Sequence, residues 1–254
     1  MATQTIERVQ ARRTLAPATP VAYAGAVAFA IAAGWFWLVT KNVTVAAPPL
    51  IGPHVAPLQG MRIYYRWQAT TLPQERYLTT IAILGFICLA IAVNWFRDVL
   101  ARGRALTTAG VALVGAGAAT WVTGSILELG GHRAVGLMAT HTNPIQTTNS
   151  IAFTIDMVAA AFALAAFAFI GLGMLAVAAA AAREHSSRRA WAGYTTVIAA
   201  TLLVLAWSYT TANRDLSDLL LFAVGVAPLP LWLIWTSRIS QSGRQVLPDH
   251  RTTS

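Results

Sequence analysis

The sequence predicts an all-α, polytopic membrane bundle of about six transmembrane helices, with both termini in the cytoplasm. Three observations carry that expectation. Charged residues make up 11% of the chain and hydrophobic residues 56%, against roughly 25% charged in an ordinary soluble domain. Six apolar runs approach or exceed the roughly 20 residues that cross about 30 Å of hydrocarbon. The basic residues gather at the ends of those runs, which is the pattern of orientation in a bilayer and not of a nucleic-acid surface. The net charge of +9 therefore reads as orientation in the bilayer, with lipid as the expected partner and no nucleic acid expected.

The first run, 20–40, follows Arg8, Arg12 and Arg13 and ends in Trp35, Phe36 and Trp37. A positive leader before an apolar stretch resembles a signal peptide. Val21 to Val39 is too long for one, and the terminal aromatics suit an interfacial belt. A retained helix is expected. The second and third runs span 76–97 and 105–129, and the fourth, 149–182, is long enough to tilt or to leave the membrane. The fifth and sixth span 190–211 and 217–237. The expected organisation is a cytoplasmic segment 1–19, one transmembrane domain 20–237 and a flexible cytoplasmic tail 238–254.

Two connections on the outer side have some length. The first, 41–75, holds five prolines and the run Met61-Arg62-Ile63-Tyr64-Tyr65-Arg66-Trp67, which reads as an interfacial flap. The second, 130–148, carries Gly130-Gly131 and Asn143-Pro144, both turn signals. Orientation follows from counting cations. With the amino terminus inside, the inner segments hold 12 Lys and Arg and the outer segments 6, and the richer side faces the cytoplasm. Arg in place of Lys, with Ala-rich helices, fits the inner membrane of a bacterium with a GC-rich genome.

Helix packing in lipid relies on small residues. Ala112, Ala116, Thr120 and Gly124 form one such stripe on the third helix, and Ala161, Ala165 and Gly173 another on the fourth. These two helices are expected near the bundle centre. Pro228 and Pro230 lie inside the sixth run, where each removes a backbone donor, so a kink near mid-membrane is expected. A faint 3+3 inverted repeat would relate the second helix to the fifth.

Candidate chemistry is sparse. Ionisable groups inside a membrane are costly and face the bundle interior or water. Glu128 ends the third helix, Asp156 lies about two turns into the fourth, and Asp218 opens the sixth. Glu128, His132, His141 and Asp156 form a candidate metal set at the outer face, with donors that suit copper, zinc or iron. Gly130-Gly131 is expected to break the helix that would otherwise put Glu128 and His132 on one side. Asp156, Asp218, Pro228 and Pro230 are the candidate transport path. Cys88 is the single cysteine, too few for a thiolate metal site. No histidine falls mid-helix, which argues against bis-His haem. No Walker motif, glycine-rich nucleotide fingerprint or regularly spaced arginine of a voltage sensor is present.

Three classes of function fit these observations. The first expectation is a structural or accessory subunit of a membrane complex, assembled with other membrane subunits or as a homo-oligomer. The alternatives are a small transporter or channel using Asp156 and the kinked sixth helix, and a membrane enzyme with an outer-face metal site.

Overall fold

The computed structural model describes residues 18–40, 57–99, 104–140, 144–183, 186–211 and 214–245. Every regular element among them is an α-helix: α1 (Ala18–Thr40), α2 (Pro57–Val99), α3 (Arg104–Thr140), α4 (Ile145–Ala182), α5 (Ser186–Thr210), α6 (Arg214–Val226) and α7 (Pro228–Gln245). Six segments are long and apolar enough to cross a membrane, and α6 and α7 together make the sixth, Leu216–Ile239. These spans fall on the six expected runs. Lipid offers backbone groups no partner, so each span must close its hydrogen bonds within itself, which a helix does. Threonine hydroxyls follow the same rule. Thr120, Thr123, Thr196 and Thr201 each donate to the carbonyl four residues earlier.

The helices pack in a ring that follows chain order, α1 to α2 and onward to α5, closed by α6 and α7 against α1. α2 also reaches α4 and α7 across the ring, whereas α3 touches only α2 and α4. The central helix is thus α2, with Leu89, Ala92 and Val93 fully buried, and α3 is peripheral, contrary to the expectation. Aromatic rings fill the interior. Phe86 stands edge-on to Phe29 at 5.1 Å, stacks on Trp121 at 4.4 Å and meets Phe167 at 6.4 Å, and Phe167 stacks with Tyr209 at 6.1 Å. Five helices meet through this chain of rings.

The seam between α3 and α4 is the expected one only at Gly124 and Gly173. Ala112, Ala116 and Ala161 are exposed. The close approach is made by Gly110, Gly117, Gly124 and Gly131, seven residues apart. A Cβ at Gly110 would lie 2.6 Å from the Gly173 carbonyl oxygen, and one at Gly117 2.7 Å from that of Ala166. At Gly124 and Gly131 it would meet Phe162 and Ile155 at 2.5 and 2.6 Å. The reason is geometric. A four-residue step drifts about 40° around a helix, but a seven-residue step drifts only about 20° and stays on a left-handed crossing.

Two expected loops are largely helical. α2 begins at Pro57, where proline is pre-set for a first helical turn, so 57–75 is helix and not a flap. α3 runs through Gly130-Gly131 to Thr140, and α4 starts again at Ile145. At 37 and 38 residues these two helices are about 55 Å long, well past a hydrocarbon core of about 30 Å. Their joined ends and the start of α2 form a separate three-helix layer with its own small core of Tyr65, Val135, Ala139, Ile145 and Ala152. Tyr65 donates from its hydroxyl to Asn149 Oδ1 at 2.7 Å, and Arg66 Nε donates to the Ala139 carbonyl at 3.1 Å. The second bond satisfies a carbonyl that the last turn of α3 leaves open. At the other end of the chain, α7 continues to Gln245.

Candidate functional site

The structure brings two of the four candidate metal ligands together. α3 is continuous through Gly130-Gly131 because Gly131 serves the close approach to Ile155 and makes no turn. Glu128 and His132 are therefore one turn apart on one side of α3, correcting the expectation of a break. His132 Nε2 lies 3.4 Å from Asp156 Oδ1 on α4, with side-chain exposures of 15% and 49%. His141 lies outside the described residues. Among the described residues no group of three His, Cys, Asp or Glu comes together. A histidine and a carboxylate supply two donors, and a stable transition-metal site needs three or four. As a pair they form a partly exposed contact between α3 and α4, of the kind that contributes up to about 1 kcal/mol.

Asp156 follows Ile155, which packs against the small core of the three-helix layer. It is 27 positions before Arg183, about 40 Å along the helix. The same arithmetic puts Tyr209 and Asp218 about 30 Å from Arg189 and Arg238, toward the other ends of the fifth and sixth spans. There Tyr209, at the end of α5, lies within electrostatic reach of both Glu128 and Asp218. Ser208 and Ser217, both buried, share a 2.7 Å hydrogen bond that ties the end of α5 to the start of α6. Sequence reasoning named the two acids and missed Tyr209, because a tyrosine in the last turn of a span reads as one more interfacial aromatic.

The prolines do more than bend the sixth span. The helix breaks at Ala227, between α6 and α7, close to the middle of Leu216–Ile239. Pro228 and Pro230 have no N–H, which leaves the carbonyls four residues earlier, on Val224 and Val226, without their usual donors. Regular bonding resumes with Leu231 N donating to the Ala227 carbonyl at 2.9 Å. Tyr194 on α5 donates its hydroxyl to the Pro228 carbonyl at 3.0 Å. The α6 side of the break is held to α1 by a Trp37–Phe222 stack at 4.7 Å and by Gly225, where a Cβ would meet Ala33 at 2.6 Å.

On the α7 side lies a buried polar network. Trp232 Nε1 donates to Thr195 Oγ1 at 2.8 Å, and Thr195 donates to the Trp191 carbonyl at 2.8 Å. Trp191 Nε1 donates to Thr236 Oγ1 at 3.3 Å. All four residues are almost fully buried. Each indole N–H finds an acceptor on the facing helix, which fixes the register of α7 on α5.

No protein-family model, no curated protein and no solved structure matches this chain. The functional reading therefore rests on the residues and their geometry.

Proposed function

We propose that this chain is an accessory or structural subunit of a bacterial inner-membrane complex, with both termini in the cytoplasm. In this reading it docks its partner through the three-helix layer on the outer face. The observation that carries the proposal is the layer itself. α3 and α4 continue as a glycine-packed hairpin beyond the apolar slab and are braced by Tyr65 and Arg66 of α2. Leu137, Ile151 and Phe153 stand exposed on it, at 54%, 37% and 65%. Each is about 45–50 Å along its helix from the arginine end, past the hydrocarbon. Exposed apolar side chains on a rigid element outside lipid mark a surface that another protein covers. The ring-filled interior also speaks against a standing channel.

A photo-reactive phenylalanine analogue at position 153, in the full chain in its own membrane, tests this. The expected result is a crosslink to one protein partner, with Phe153→Ser lowering recovery of that complex at least severalfold. A chain that stays monomeric and uncrosslinked in lipid overturns the proposal.

A second reading, a small transporter, is favoured by the break in the sixth span. Broken helices at the bilayer midplane line substrate sites in many carriers. Here the break lies nine positions after Asp218, whose charge and that of Glu128 both reach Tyr209. If α6 rocks against α5 to open a path, Asp218→Asn stops flux in proteoliposomes while thermal stability holds. Undiminished flux removes Asp218 from any path.

A further inference from the structure

The end of the bundle opposite the three-helix layer carries a concentration of arginine that helix packing draws together. Among the described residues, the helix ends there hold Arg104, Arg183, Arg188 and Arg189, with Arg238 on α7. The glycine seam places three of them. Gly110 packs on Gly173 and Val177. Arg104 precedes Gly110 by six positions and Arg183 follows Val177 by six, so both emerge just beyond that contact at the same end. Arg188 and Arg189 open α5, five and six positions after Arg183. The Trp191–Thr236 hydrogen bond then brings the end of α7, with Arg238, beside the start of α5. Arg104, Arg183, Arg189 and Arg238 are exposed.

Orientation alone explains why arginines lie at this end, but not their placement on the helices. Arg104 is the first residue of α3, and Arg188 and Arg189 lie in the first turn of α5. Neither first turn contains an acidic residue. A helix N-terminus already carries partial positive charge, so cations there oppose the macrodipole. α3 and α5 both pack on α4 and not on each other, so their positive ends flank the end of α4 that carries Arg183; each is complementary to an anion, and a planar guanidinium matches phosphate oxygens in a two-pronged fashion. Just below, on the lipid-facing surface of α4 and α5, the exposed residues are small: Ala179, Ala182, Ala190 and Gly193. A Cβ built on Gly193 would meet nothing within 4 Å. Phosphate at the rim with apolar space beneath it is the outline of a lipid.

We infer that the Arg104, Arg183, Arg188 and Arg189 end of α3, α4 and α5 binds the headgroup phosphate of an anionic phospholipid. Basic clusters between helix ends on the cytoplasmic side recognise such headgroups by charge, and the lipid's acyl chains distinguish it from a free anion. The leaflet assigned to this lipid, the cytoplasmic one, rests on the topology given under Proposed function. The lipid site itself does not.

The test uses the full chain in nanodiscs of phosphatidylcholine mixed with phosphatidylglycerol, with retained lipids counted by native mass spectrometry after release. The wild type is expected to keep phosphatidylglycerol over phosphatidylcholine. Arg183→Gln with Arg189→Gln is expected to lower that retention about thirtyfold, from the usual contribution of two arginines near an anionic surface. Arg76→Gln with Arg133→Gln, at the opposite end, is expected to leave retention unchanged. Equal retention of the two lipids overturns the inference, as does full retention in the Arg183 and Arg189 variant. Displacement of the lipid by inorganic phosphate reassigns the site to a small anion and also overturns it. Topology is read separately, by labelling Ser187→Cys in a Cys88→Ala background with an impermeant maleimide in intact cells. Labelling from outside overturns the leaflet assignment and the proposed orientation, while the nanodisc counts, which have no sidedness, still decide the lipid site.

Discussion

Gly110→Ala and Gly117→Ala each destabilise the bundle by about 2 kcal/mol, whereas Gly130→Ala on the same helix stabilises it by about 0.5 kcal/mol. The difference lies in what a new methyl group would meet. At Gly110 it would fall 2.6 Å from a backbone carbonyl of α4 and 2.7 Å from Val177 Cγ2. At Gly117 it would fall 2.6 Å from Ile170 Cγ1 and 2.7 Å from the Ala166 carbonyl. Backbone does not rotate aside, so the two helices must separate, and the packing along the whole seam loosens with them. Gly131 is an intermediate case, because its methyl group would meet only the side chain of Ile155, which has rotamers to use. Gly130, one position earlier, has nothing within 4 Å, so alanine there gains helix propensity at no steric cost. The double variant of Gly110 and Gly117 is expected to lose less than the sum of the two, since a single separation relieves both clashes. Reversible unfolding in mixed micelles measures all four. Equal destabilisation at Gly130 and Gly117 would mean that the seam does not hold α3 to α4.

The same glycines show where the sequence was legible and where it was not. Six spans could be read because crossing lipid needs an apolar run of fixed length, a one-dimensional property. Pro228 and Pro230 announced the break at Ala227 for a similarly local reason, the missing N–H. The glycines carried two meanings. Gly130-Gly131 has the composition of a turn, but Gly131 is small so that Ile155 can approach, and that neighbour is 24 residues away in the chain. The four-residue stripe from Ala112 met the seam only at Gly124. It lies on one face of an isolated helix, while a crossing pair of helices selects a seven-residue repeat. Pro57 read as a loop residue, yet it occupies the first position of a helix, where its fixed φ is an advantage.

The candidate site was legible only as a set of polar residues. Glu128, Asp156 and Asp218 stood out because charge in an apolar segment is rare. Which of them share a neighbourhood depended on helix lengths that the turn-like glycines concealed. Once α3 runs on through Gly130-Gly131 to Thr140 and α4 starts at Ile145, Asp156 pairs with His132, and Glu128 and Asp218 both fall near Tyr209. The second helix, taken for an interfacial flap in its first half, supplies the Tyr65 and Arg66 hydrogen bonds that stiffen the protruding layer. Neither residue carries a motif. Their roles appear only when Asn149 and Ala139 are brought opposite them.

Trp232→Ala is expected to destabilise the bundle by roughly 3 kcal/mol, and Thr195→Val by about 1 kcal/mol or less. Both residues belong to one network between α5 and α7, yet the two substitutions remove different things. In a lipid-embedded chain the unfolded reference is itself apolar, so the hydrophobic part of burying an indole largely cancels. What remains is packing: Trp232 is 1% exposed, its ring centroid lies 5.7 Å from that of Trp191, and alanine leaves a cavity. Atoms lining a cavity have no neighbour on one side, and that dispersion attraction is restored only if the walls collapse. α7 has little room to collapse, because Pro228 is tied to Tyr194 at one end and Thr236 to Trp191 at the other. Thr195→Val keeps the volume and removes the acceptor of the Trp232 N–H. Interhelical hydrogen bonds in membranes average about 0.6 kcal/mol, because the unfolded chain also finds partners. Trp232→Phe should fall between the two, with most of the volume kept and the donor gone. If Thr195→Val proves as damaging as Trp232→Ala, the hydrogen bonds and not the packed rings hold α7 against α5. The break at Ala227 would then separate a segment held by polar interactions from one held to α1 by the packing of Gly225 and Phe222.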